Sequence, residues 1–206
     1  EFQGRHENEA PVAAEIARTY GIRHHVRTIT RQEFEADLPR ILSAMDQPSI
    51  DGINTWYASK AVAELGLKVV ISGVGGDELF YGYPSFHQLP ALVSRWKRLA
   101  GIPGASTAAD LALRLFARRS GNPRWRWLTR QAGSLYGAYW LRRGLFAPDE
   151  LSELMGEEYS REALQKFSPR SLLETMVGTL PDDAMAAVGQ IESMAYLRNQ
   201  LLRDSD

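Results

Sequence analysis

Two adjacent carboxylates, Asp77 and Glu78, close a run that reads Ile71-Ser72-Gly73-Val74-Gly75-Gly76-Asp77-Glu78-Leu79-Phe80-Tyr81-Gly82-Tyr83. Three glycines within four positions let a backbone come close to a ligand, because no Cβ intervenes and φ can be positive. Amides at such a turn point at an anion. An acid at the end of the same loop repels a bare phosphate. It makes sense with a divalent cation between carboxylate and phosphate, since Mg²⁺ takes one or two carboxylates plus phosphate oxygens. The competing reading is a tight turn with a solvated acidic cap, because a lone glycine motif is a weak signal.

The elements around the loop are expected to position it at the end of a strand. Lys68-Val69-Val70-Ile71 is short, apolar and β-branched, the pattern of a buried parallel strand. His24 to Ile29 alternates weakly and is a second expected strand. Helices are expected over Glu9 to Tyr20, over Arg31 to Met45 with Thr30 as N-cap and a kink or break at Pro39, and over Asn54 to Leu65. Helices alternating with strands predict an α/β fold, a parallel sheet with crossover helices, whose ligands sit at the carboxyl ends of strands. After Phe86 the pattern turns helical, over Leu89 to Leu99, Thr107 to Arg118, Leu135 to Arg143, Pro148 to Leu154, Arg161 to Phe167, Ser171 to Val177 and Asp183 to Arg203. The expected organisation is therefore an α/β nucleotide-binding part over 1–86 and a helical part of the same domain over 87–206.

At 206 residues, with 44% hydrophobic residues and a formal charge of −1, the chain describes an ordinary globular protein. The absence of cysteine excludes disulfides, thiolate metal sites and cysteine nucleophiles, and suits a cytoplasmic location. No apolar run approaches the roughly 20 residues that span a membrane. The chain opens on Glu1, and Glu1-Phe2-Gln3-Gly4 reads like the middle of a loop, so a fragment cut at both ends is expected.

Other constellations compete for a role. Arg114, Arg118, Arg119, Arg124, Arg126, Arg130, Arg142 and Arg143 are interleaved with Trp125, Trp127, Tyr139 and Trp140. Cations with stacking aromatics are what single-stranded nucleic-acid binding uses. The near-zero net charge argues instead for an amphipathic surface whose arginine stems cover apolar area. The four histidines lack ligand spacing and make no metal site. Glu33, Glu35 and Asp37 read as a solvated face at a helix start, and Met176, Met185 and Met194 as core. Gln47 to Gly52 is turn-rich and precedes a helix.

Asp46-Gln47-Pro48-Ser49, Asn54 to Glu64, Lys68 to Ile71 and the Ser72 to Tyr83 loop together resemble the synthetase domain of glutamine-hydrolysing asparagine synthetases. Tyr196-x-x-x-Gln200-Leu201-Leu202-Arg203-Asp204 and Asn8-Glu9-Ala10-Pro11 extend that resemblance over nearly the whole chain. It implies an incomplete adenine nucleotide alpha-hydrolase-like fold and an ATP-dependent carbon–nitrogen ligase. In that chemistry the aspartate side chain is adenylated to β-aspartyl-AMP, and ammonia from glutamine then gives asparagine. ATP and Mg²⁺ are the implied cofactors. The implied residues are Asp77 as catalytic and metal-binding carboxylate, Ser72, Gly73, Val74, Gly75 and Gly76 on the nucleotide, and Ser49, Asp51 and Asn54 on the carboxylate substrate. Glu78 is expected to order the loop. The implied partners are aspartate or a related carboxylate, an N-terminal glutaminase domain outside this chain, and a second copy in a homodimer, with no membrane and no nucleic acid. The fragment by itself is expected to be inactive.

Two positions depart from the family pattern. Many members carry Glu where Val74 stands, and valine cannot transfer a proton. The usual Phe-Gly-Gly-Tyr is Phe80-Tyr81-Gly82-Tyr83 here. An adenylating amidotransferase with another carboxylate acceptor is therefore a second reading. A non-catalytic module binding nucleic acid or a partner through its arginine–tryptophan face is a third.

Overall fold

The computed structural model describes residues 8–47 and 49–205; the readings that rest on residues 1–7 (His6 among them), on Pro48 and on Asp206 fall outside the described residues. The chain forms two compact units, one running to Ser72 and taking in Arg203 onward, the other spanning Gly73–Leu202.

The first unit carries helices α1 (Ala10–Thr19), α2 (Arg31–Ala44) and α3 (Ile50–Glu64), with a short 3₁₀ turn at Arg203–Ser205. Thr30 caps α2 as expected, its hydroxyl accepting from the Glu33 amide at 3.2 Å. Pro39 neither splits nor ends α2. It lacks the N–H that Glu35 would receive, but both residues are exposed, so the orphaned carbonyl is hydrated at little cost.

The expected parallel sheet does not exist: no strand occurs among the described residues. His24 to Ile29 and Lys68 to Ile71 are irregular stretches without a ladder. A strand is stabilised by the neighbour that satisfies its amides and carbonyls, and neither segment has one. Val69, Val70 and Ile71 are accordingly 83%, 58% and 98% exposed, the reverse of a buried strand. The fold is helical, and the adenine nucleotide alpha-hydrolase-like sheet expected from the resemblance is corrected with it.

Glu33 and Asp37 are not a solvated face. The Arg27 guanidinium reaches Glu33 at 2.5 and 2.6 Å and Glu64 at 2.9 and 3.0 Å, and the Lys60 ammonium reaches Glu33 at 2.7 Å and Asp37 at 2.6 Å. Only Glu35 stands largely in solvent, bound to Arg31 one turn away. Hydrogen bonds from Arg27, then from Lys60, hold the Glu33 carboxyl down at about 2, against an ordinary value of 4.5. Because the folded value is depressed, the Glu33 contribution is complete above pH 4.5 and is lost as pH falls toward about 2. We therefore expect Glu33→Gln to flatten the fall in stability between those values, followed by circular dichroism. Superimposable acid limbs for the two proteins would remove Glu33 from the account.

The second unit begins with a one-turn helix, α4 (Gly76–Phe80). It continues through α5 (Ser85–Ala100), α6 (Ala105–Ser120), α7 (Trp125–Gln131), α8 (Leu135–Arg143), α9 (Pro148–Met155), α10 (Glu157–Lys166), α11 (Pro169–Val177) and α12 (Ala184–Ile191). A π-helix, Glu192–Leu201, follows α12 directly. The expected single helix from Asp183 to Arg203 is thus two elements of different pitch, and α4 and α7 are helices the sequence pattern does not announce. Side chains of Ser134, Ser168 and Asp183 cap α8, α11 and α12. The core gathers Phe86 and Leu89 from α5, Ala138 and Tyr139 from α8, Val177 from α11, and Val188 and Ile191 from α12. Met176, Met185 and Met194 pack around its edge, as their helical spacing implies.

Candidate active site

The glycine-rich loop takes its shape from one left-handed residue. Gly75 has φ +92°, and the Gly76 amide donates to the Gly73 carbonyl at 3.0 Å, closing a turn that starts α4 at Gly76. Gly75 is buried, and a Cβ there would lie 3.4 Å from Leu197 of the π-helix. The Gly73 and Gly76 Cα positions face open space, with nothing within 4 Å of where a Cβ would stand. The loop is therefore packed on one side and open on the other.

Asp77 follows on the exposed side. Its carboxylate lies over Gly82, where a Cβ would come within 2.0 Å of Asp77 Oδ1. Only glycine at 82 leaves that space, and the Gly82 amide also donates to the Asp77 carbonyl at 2.9 Å. Tyr81 between them has φ +63°, the left-handed conformation that a glycine adopts without cost. Its ring is held against Phe86 with centroids 4.8 Å apart, so packing maintains the strained backbone.

Glu78 points inward. It is 2% exposed, and Tyr83 donates its hydroxyl to Oε1 at 3.0 Å. Oε2 is buried without a hydrogen-bond partner. Burial, then the bond to Glu78, pushes the Tyr83 phenol well above its ordinary value. The contacts continue from there. Arg143 stacks over the Tyr83 ring at 4.9 Å and over Tyr196 at 3.9 Å. The same guanidinium binds the fully buried Glu192 at 3.0 and 3.2 Å. Glu192 also accepts from Ser85 at 2.7 Å and from Tyr139 at 3.1 Å. Burial opposes the charge of Arg143, but Glu192 together with Tyr139 and Tyr196 outweighs it and the shift is upward. Glu78 is thus tied to Tyr83, five residues on at the far end of the loop.

Gly73, Val74, Gly75, Gly76 and Asp77 thus share one tight loop of the second unit, with Val74 44% exposed. Ser72 closes the first unit, which also holds Ser49, Asp51 and Asn54 at the start of α3. Ser49 caps that helix, accepting from the Gly52 amide at 3.1 Å, and donates to Asp204 Oδ2. Arg203 reaches Gln47 at 2.7 Å and Asp204 at 2.7 and 3.0 Å. Gln47, Trp56, Arg203 and Asp204 line a cavity of about 450 Å³. Asp51 and Asn54 do not line it. The sequence reading named neither Arg203 nor Asp204 as a site residue. The signal was present in the Tyr196 to Asp204 segment, but nothing in a sequence tells which earlier loop such a tail returns to.

Among the described residues no group of three or more His, Cys, Asp or Glu side chains is placed to hold a metal ion. Also among them, no helix is long and apolar enough to cross a membrane.

A glycine loop that ends in an exposed carboxylate does not by itself name a reaction, but comparison with known proteins gives the chain a family. The asparagine synthase family profile matches residues 1–204, and the chain belongs to that family. It is 35% identical over 83 residues to a putative glutamine-hydrolysing asparagine synthetase of Mycobacterium tuberculosis, covering 39% of this chain and 13% of that protein. It is 33% identical over 89 residues to asparagine synthetase 1 of Bacillus subtilis, covering 42% of this chain and 14% of the relative. Asparagine synthetase 3 of Arabidopsis thaliana is 31% identical over 80 residues, covering 37% and 14%. The matched stretch is thus about one seventh of each relative. No solved structure matches significantly.

Proposed function

We propose that the chain is part of a glutamine-hydrolysing asparagine synthetase, in which it binds the phosphates of ATP at Gly73 to Asp77. The observation that carries this reading is the Asp77 carboxylate, held over Gly82 on the open side of a glycine loop. Within the family that chemistry activates the aspartate side chain by adenylation and displaces AMP with ammonia. The site must then place a carboxylate in line with the α-phosphorus and tolerate the charge of the leaving pyrophosphate. Gly73 and Gly76 offer a surface without side chains to the phosphates, and Ser72 is proposed as a further contact of the nucleotide.

Asp77 suits a Mg²⁺ held mainly by phosphate oxygens and water, since it is a single exposed carboxylate and not part of a cage. When bound, that ion offsets phosphate charge. Glu78 stays out of the chemistry, committed to Tyr83. Ser49, Asp51 and Asn54 are the proposed contacts of the carboxylate substrate.

Val74 supports a second reading. It presents an apolar side chain where many relatives carry Glu, so proton transfer to or from the attacking amine falls elsewhere, and the acceptor carboxylate need not be aspartate. One experiment tests both readings. Pyrophosphate release is followed in the longest natural protein containing this chain, varying aspartate with glutamine or ammonia present. Aspartate-dependent release with kcat/KM lowered about 100-fold or more by Asp77→Asn, a loss of about 2.7 kcal/mol in transition-state stabilisation, is expected. Release independent of aspartate would replace asparagine synthesis by the second reading. An Asp77→Asn variant as active as wild type would end the assignment of the loop.

A further inference from the structure

Away from the glycine loop, α6 and α7 enclose a cleft of about 280 Å³ lined by Arg114, Arg118, Arg126, Trp127, Arg130 and Asp149. The spacing explains the gathering: Arg114 and Arg118 lie one turn apart on α6, as do Arg126 and Arg130 on α7. Guanidinium groups cannot relieve mutual repulsion by losing protons. Two of the four are offset. Arg114 binds Asp110 at 2.6 Å, where the Thr129 hydroxyl also donates at 2.8 Å, and Arg126 binds Asp149 at 3.0 Å. Arg118 and Arg130 form no direct ion pair among the described residues, although Asp110 also feels the charge of Arg130. Arg130 instead lies over the Trp127 ring at 5.2 Å, and Trp127 in turn meets Trp140 edge-on at 6.4 Å. The cleft therefore carries four guanidinium groups against two neighbouring carboxylates, an excess of positive charge beside an aromatic wall.

We propose that this cleft is a binding site for a small, multiply charged phosphate compound, held by Arg118 and Arg130 against Trp127. A guanidinium fork matches two phosphate oxygens at once, and two such forks match a dianionic group. The site is a small cleft, and Asp110 and Asp149 beside it repel a long polyanion, so a compact ligand fits better than a nucleic-acid backbone. The inference does not depend on the glycine loop.

Inorganic pyrophosphate serves as the probe, titrated into the chain by calorimetry with EDTA present, so that Asp77 has no divalent ion through which to bind it. Saturable binding is expected, weakened at least tenfold in the Arg118→Ala/Arg130→Ala protein and unchanged by Arg95→Ala, an exposed arginine outside the cleft. If the double variant melts below wild type, Arg118→Gln carries the comparison with an expected loss of at least threefold. Absence of saturable binding, equal affinity in wild type and cleft variants, or tighter binding of a single-stranded oligonucleotide than of pyrophosphate would each overturn the proposal.

Discussion

Replacing Arg143 by alanine is expected to cost the second unit about 3 kcal/mol of stability, the low end of what removing one partner of a buried ion pair does. Glu192 is wholly inaccessible and depends on Arg143 for its opposite charge among the described residues, while Ser85 and Tyr139 supply neutral donors. Once the guanidinium is gone, the carboxylate is left buried with two hydroxyls, which cannot repay its lost hydration. The tyrosine rings at 83 and 196 lose a cation stacked between them at the same time. Arg143→Lys keeps the charge but not the two-pronged contact or the flat stack, so it should recover only part of the loss. Urea unfolding of the three proteins measures this. A loss under 1 kcal/mol for the alanine variant would show that Glu192 finds its compensation elsewhere.

The second large effect is expected at Phe86. Its ring is fully buried among Leu89, Tyr139, Val188 and Ile191, and Phe86→Ala should cost about 3–5 kcal/mol through lost transfer energy and the cavity left behind. Part of that cost is indirect. Tyr81 keeps a left-handed backbone because its ring packs on Phe86, and without that support the strain of about 1 kcal/mol has nothing to hold it. Tyr81→Gly removes both strain and ring. In that background Phe86→Ala should therefore cost measurably less, a coupling that a double-mutant cycle reads directly. Strict additivity would mean that the two rings touch without supporting each other.

These residues also show how much a sequence can disclose. Helices with an apolar stripe, such as α5 and α8, were legible because their period is local. The cap at Thr30 was legible for the same reason, whereas the cap at Ser49 was not, because α3 starts four residues before the expected Asn54. The strands were not: Lys68 to Ile71 has the composition of a buried strand, but a strand exists only through a partner, and pairing is not written in the segment itself. Glu33 and Asp37 looked solvated because their cations, Arg27 and Lys60, come from outside α2. In the loop, the glycines and Asp77 pointed to the open face, whereas the buried Glu192–Arg143 support had no signature at all. The change of pitch after Ile191 was equally silent, since the residues of 192–201 would sit comfortably in an ordinary α-helix.

That change of pitch constrains how the gene can vary. The π-helix is closed by bonds that reach back five residues, as from the Leu202 amide to the Leu197 carbonyl at 2.9 Å. Glu192 at its start and Leu197 against Gly75 are set five positions apart on this wider coil. Losing one codon between them would let the stretch narrow to the α coil, in which four residues span the turn that five span here, so the residues beyond it would keep nearly the same facing. Leu197 would stay near the glycine loop and Glu192 with Arg143. A single in-frame insertion has no such outlet, since the coil would have to widen further still, so this stretch can shorten by one residue more readily than it can lengthen.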